Sequence, residues 1–158
     1  MRRILFAALA MIVASVVATR LPIVSAASPW KFAVGGGSLV DAGGNAKHFA
    51  FSAHAGPNGP SGHVVLTQVS TTFGDFQLQG HVTCLTVSGN RAAIGVGIEK
   101  GSGTATGQTG ILLFVEDNGN GNSGAPDQFD NSGYVGDPSV CPVADPTVDV
   151  DSGNISVK

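Results

Sequence analysis

The sequence predicts an all-β protein, a single antiparallel β-sandwich or flattened β-barrel of about seven to eight strands with an irregular C-terminal arm. Three observations predict it. All 23 glycines lie beyond residue 26, about 17% of that part against a usual value near 7%. Short segments alternate apolar and polar residues, with Lys47 to His54 the clearest. Clusters of Gly, Pro, Asn and Asp punctuate the chain at short intervals, and no stretch has the composition of a long helix.

The elements follow in order. Trp30 to Val34 and Ser38 to Val40 read as a first strand broken by Gly35-Gly36-Gly37, a bulge or tight bend. Asp41 to Ala46 is a turn. In Lys47 to His54, Phe49, Phe51 and Ala53 share one face. The prolines and glycines of Gly56 to Gly62 predict a loop, and Val64 to Val69 the next strand. Asp75 to Leu78 leads across Gly80 into His81 to Ser88.

Gly89-Asn90 predicts a two-residue hairpin turn. Val87 then faces Ala92, Leu85 faces Ile94, Thr83 faces Val96 and His81 faces Ile98. The apolar face collects Leu85, Val87, Ile94, Val96 and Ile98. Cys84 falls on the other face, opposite Gly95, where the missing side chains of Gly95 and Gly97 admit another segment, the Cys141 loop being the candidate. Gly101 to Gly110 reads as a loop, Ile111 to Glu116 as a central strand, Gln128 to Asn131 as a short strand, Tyr134 to Asp149 as the arm and Ile155 to Lys158 as an edge strand. The alternating segments need one covered face each, so two sheets are expected to cover each other.

The first 26 residues read as a secretory signal peptide. Met1-Arg2-Arg3 starts positively, Ile4 to Thr19 is uncharged and largely apolar, and Val24-Ser25-Ala26 offers small residues at a cleavage site. A spanning helix needs about 20 apolar residues, more than this run provides. Cleavage after Ala26 leaves residues 27–158 as one secreted β domain, with no stable membrane insertion. Three of eight basic residues leave with the leader and all eleven acidic ones stay, so the mature chain carries −6. That argues against a nucleic-acid partner, which needs basic patches. The two cysteines, Cys84 and Cys141, read as one disulfide in an exported chain.

Chemistry-bearing motifs are sparse. His48, His54, His63 and His81 are scattered, the first two six apart on one strand and so about 20 Å apart. The turn from Glu116 to Asp127 is rich in oxygen, and Asp117, Asn118, Asn120 and Asp127 are its candidate metal ligands, with Ca²⁺ the ion they would suit. From Asp117, however, the third and fifth positions are Gly119 and Gly121, which breaks the calcium-loop pattern. A solvated hairpin turn without an ion is the expectation. No G-x-S-x-G elbow, phosphate loop or dinucleotide fingerprint is present. Ser61 beside His63 sits among Pro and Gly, and Asp127, Asp130 and Asp137 have no fixed spacing, so no catalytic residue is expected. Asn154-Ile155-Ser156 fits a glycosylation sequon. Trp30, Phe32 and Tyr134 are available for a sugar platform.

The order of several segments resembles a poorly characterised family of secreted bacterial β domains, mostly actinobacterial, of the post-COAP type. The segments are Gly35-Gly36-Gly37-Ser38, Lys47 to Ala53, Gly59-Pro60-Ser61-Gly62, Thr83 to Asn90, Val115 to Gly119, Asp127-Gln128-Phe129 and Gly153-Asn154-Ile155. The resemblance spans nearly all of the mature chain except the arm around Cys141. It implies an all-β domain without an assigned activity and transfers no catalytic residue. The expected function is that of a secreted, non-catalytic extracellular module with a structural or binding role, its partner an extracellular ligand or a cell-envelope component. The alternatives are a lectin-like domain for carbohydrate or protein ligands, with or without calcium, and a small secreted hydrolase.

Overall fold

In the computed structural model, residues 30–119 and 124–158 are described, and the expected leader lies outside them. Eight strands form: β1 (Lys31–Val40), β2 (Ala46–Gly56), β3 (Gly59–Val69), β4 (Phe76–Ser88), β5 (Arg91–Gly103), β6 (Gly110–Glu116), β7 (Gln128–Val135) and β8 (Ser152–Val157). They make one sheet in the order β7-β6-β5-β4-β3-β2-β1-β8, antiparallel throughout. Among the described residues no helix is long and apolar enough to cross a membrane.

The expected two sheets are a single sheet that curls until it covers itself. Phe49 of β2 stacks on Phe129 of β7 with ring centroids 4.2 Å apart, although four strands separate them in the sheet. Around this contact lie Leu39, Leu66, Leu78, Ile94, Ile111, Leu113 and Ile155, each at most 1% exposed. Burying such a side chain contributes roughly 1.5–3 kcal/mol. Alternation assigns the inner face: Phe49, Phe51 and Ala53 point in from β2, and Val64, Leu66 and Gln68 from β3.

Two expected irregularities are absent. β1 runs through Gly35-Gly36-Gly37 without a register shift. The glycines make room for aromatic rings: a Cβ on Gly35 would lie 3.0 Å from the Phe51 ring, and one on Gly37 3.2 Å from the Phe49 ring. The loop expected over Gly56 to Gly62 shrinks to Pro57-Asn58, and Gly59 to Gly62 pair with β2. Pro60 is tolerated because β3 pairs with β4 only from His63 onward, so its missing N–H has no ladder to break on that side. Likewise β5 extends to Gly103, beyond the expected loop start, and the turn after it buries Ala105 completely.

Three register shifts were not anticipated, two between β4 and β5 and one between β6 and β7, and the one beside Cys84 positions the disulfide. The β4–β5 hairpin has the expected register from Ser88↔Arg91 to Cys84↔Gly95, with its positive φ on Gly89. Beyond Cys84 the ladder shifts, so that Val82 faces Val96 and His81 faces Gly97. Thr83 is thus a bulge residue. It switches the inward set from Phe76, Leu78 and Val82 to Leu85 and Val87, and it leaves Cys84 on the outer face.

The arm lies on that outer face. Cys84 and Cys141 are bonded, with Cα atoms 6.0 Å apart. The arm's Pro138 carbonyl accepts from Thr83 Oγ1 at 2.8 Å and sits where a Gly95 side chain would be. Arg91 holds Glu116 at 3.0 Å and Asp145 of the arm at 2.6 Å.

The seam between edge strands β7 and β8 is bridged. Val150 N–H donates to the Asp127 carbonyl at 2.8 Å, and Phe129 N–H to the Val148 carbonyl at 2.9 Å. The next residues cross to β1 as β8.

Candidate functional site

The inward alternation of β2 and β3 ends in two polar residues. Lys47 shares the face of Phe49 and Phe51, and Gln68 that of Leu66. Both are drawn inside, at 6% and 8% exposure. They line a cavity of about 400 Å³ at the mouth of the curled sheet. Asp41 follows the end of β1 there, Phe76 opens β4, Ile111 is the second residue of β6, and Asn131 to Tyr134 belong to the second half of β7.

The charge inside is balanced. Lys47 Nζ donates to Asn131 Oδ1 at 3.0 Å and lies 3.6 Å from Asp41 Oδ2. An ammonium carries three donors, so capacity remains toward the cavity. Burial disfavours the Asp41 carboxylate, but hydrogen bonds from the Asn45 side chain and from the Asn45 and Gly43 backbone outweigh it. With the Lys47 charge, they hold its pKa below the ordinary value. Asn45 spends its amide nitrogen on both Asp41 oxygens, which leaves Asn45 Oδ1 as the one buried side-chain oxygen among the described residues without a partner.

The opposite wall is aromatic. Phe76 and Tyr134 meet edge to face with centroids 6.1 Å apart, and the Tyr134 hydroxyl reaches Thr104 Oγ1 at 3.3 Å. Phe73 stands at the rim, 68% exposed. Its loop is tied by its own side chains: Ser70 N–H donates to Asp75 Oδ1 at 2.9 Å, and Ser70 Oγ accepts from Phe73 N–H at 2.8 Å and Thr72 N–H at 3.2 Å. A cavity of this size with aromatic walls and a few convergent polar groups is what a small-molecule site requires.

The acidic turn lies elsewhere, where β6 ends. Asp127 is 7% exposed. Its Oδ1 accepts from Asn118 N–H at 2.8 Å and its Oδ2 from Ile155 N–H at 2.6 Å. Asp117 accepts from Gly119 N–H at 2.9 Å and Val157 N–H at 3.0 Å. Asn118 Nδ2 donates to the Pro126 carbonyl at 2.8 Å. These carboxylates therefore cap the backbone N–H groups that β8 presents on the side away from β1. Asn120 lies outside the described residues.

The other candidates are dispersed. Asp130 accepts from Thr147, and Asp137 from the Ser139 N–H. His54 contacts Ser52 at 2.9 Å and His81 contacts Glu99 at 3.1 Å, both on the outer face. His63 stands directly opposite His81 in the register, a neighbour relation the sequence left unseen. Among the described residues no group of three His, Cys, Asp or Glu side chains is placed to hold a metal ion. Trp30 is 60% exposed, and its ring lies against Gly56. Comparison with protein-family models, curated proteins and solved structures gives no match.

Proposed function

We propose that this chain is a secreted, non-catalytic β module that binds a small extracellular or cell-envelope ligand in the cavity at the mouth of its curled sheet. The observation that carries the reading is Gln68. The residue is 92% buried and lines the cavity, no hydrogen bond engages its side chain among the described residues, and its amide atoms stay open to the cavity rather than sealed from it. Its two donors and its acceptor are therefore presented to whatever occupies the cavity. A ligand with matching polar groups pairs with it directly, whereas a purely structural module gains nothing from an unengaged amide at this place.

The leader-like first 26 residues and the Cys84–Cys141 bridge support export. The resemblance to post-COAP-type domains, which carry no assigned activity, belongs to the same proposal. The non-catalytic part rests on the carboxylates: Asp117, Asp127 and Asp137 are engaged by backbone N–H groups, and Asp145 by Arg91.

The test is a thermal-shift screen of the exported protein against saccharides, amino acids and short peptides, nucleosides and organic acids. One class should raise Tm, and Gln68→Leu should abolish the rise. N-terminal sequencing of the same material should start near Ala27. If no class shifts Tm and Gln68→Leu is simply more stable than the parent, the binding reading fails and a structural role replaces it.

A further inference from the structure

We propose that the ligand of this cavity is a neutral saccharide, bound with a sugar ring against Phe73 and its hydroxyl groups on Gln68 and Lys47. This rests on the binding reading above and adds the chemical class. Three observations converge on it.

The first is polarity without net charge. The Lys47 ammonium already has a carboxylate, Asp41, at 3.6 Å and an amide oxygen, Asn131 Oδ1, at 3.0 Å. An anionic ligand would compete with Asp41 for it and would approach a mature chain of net charge −6. A cationic ligand would meet Lys47 itself. Neutral hydroxyl groups meet neither penalty and accept the remaining Lys47 donor.

The second is the Gln68 amide. It offers one acceptor and two donors side by side, the set that two neighbouring hydroxyl groups match, each being donor and acceptor at once. Apolar ligands leave it unsatisfied.

The third is Phe73. A phenylalanine 68% exposed, on a loop fixed by Ser70 and Asp75, is displayed rather than buried. Its apolar face at the rim suits the C–H face of a pyranose, while Phe76 and Tyr134 supply an aromatic wall further in. The volume of about 400 Å³ lies at the lower end of the range for small-molecule sites, so the cavity takes the end of a glycan and not the middle of a polymer.

The experiment prints neutral and acidic mono- to tetrasaccharides on an array and probes it with the exported protein, then measures the best neutral hit by calorimetry. Binding should appear on neutral saccharides and be insensitive to salt. Phe73→Ala should weaken it about tenfold and leave Tm unchanged, because Phe73 is exposed in the free protein. Gln68→Leu should abolish it. Binding to acidic saccharides with steep salt dependence, or indifference to Phe73→Ala, overturns the inference. So does a blank array with a thermal shift from amino acids, nucleosides or organic acids, an outcome that leaves the binding reading standing. A blank across every class overturns both.

Discussion

Asp127→Asn separates a structural role for the acidic turn from a calcium-binding one. The carboxylate is 7% exposed and accepts from Asn118 N–H at 2.8 Å and Ile155 N–H at 2.6 Å. An amide keeps one acceptor oxygen but presents N–H₂ to the second backbone donor, so one of the two bonds becomes a donor facing a donor. Hydrogen bonds to a charged group are worth about 1.5–3 kcal/mol, and a buried donor left unmatched costs about 1–3 kcal/mol. The Ile155 N–H is buried, so the upper half of that range applies and the expected loss is about 2–3 kcal/mol. For a domain of this length each kcal/mol moves Tm by roughly 3–5 °C, so Tm should fall by about 10 °C. The assay is thermal unfolding of parent and variant in calcium and in EDTA. The seam role predicts the same fall in both. A fall seen only with calcium, or a parent whose own Tm drops in EDTA, would refute the reasoning and make Asp117, Asn118 and Asp127 ion ligands.

Three further outcomes follow from packing and charge. Removing the Cys84–Cys141 bridge with a double Cys→Ser variant should cost up to about 4 kcal/mol by loop entropy, read from urea midpoints, with no loss if the bridge is absent from secreted protein. Gly95→Ala places a Cβ against the Pro138 carbonyl and 3.0 Å from Cys84 Cβ, so it should destabilise by about 1–3 kcal/mol, and unchanged stability would mean the arm does not rest there. Asp41 ionises more readily folded than unfolded, so its contribution is complete above its ordinary pKa near 3.8 and is lost as pH falls through the lower folded value. Asp41→Asn should therefore flatten the stability profile below about pH 4, and parallel profiles for parent and variant would contradict this.

The strand content was legible because alternation is local. Phe49, Phe51 and Ala53 could be assigned inward from β2 alone, and the Gly89-Asn90 turn set the register as far as Cys84↔Gly95. The Thr83 bulge was not legible, because nothing in Val82-Thr83-Cys84 differs from ordinary strand sequence. The conflict arises only when β5 must fit both halves of β4. The glycines of β1 misled for a similar reason. Their purpose is set by Phe49 and Phe51 on the neighbouring strand, which no local pattern records. The cavity was half legible. The parity that placed Phe49 inside also placed Lys47 inside, and Leu66 did the same for Gln68. Attention to apolar residues alone passed over both, while the oxygen-rich acidic turn drew notice by composition. Its carboxylates have partners because β8, far away in sequence, supplies them.

The β1–β8 pair also governs how the domain answers to tension. Phe32 and Lys158 exchange two backbone hydrogen bonds, at 2.8 and 2.9 Å, so both ends of the described chain leave side by side. A pull between them acts across the ladder and loads its bonds one pair after another, as a zipper is loaded. Such a geometry yields at low force, in contrast to strands dragged lengthwise past each other. Once β8 has peeled away, the Cys84–Cys141 crosslink withholds the 57-residue span from extension, roughly 190 Å of contour at about 3.3–3.6 Å per residue. Stretched between two attachment points, the protein would give way early and then stop short, behaving as a limited-travel extensor.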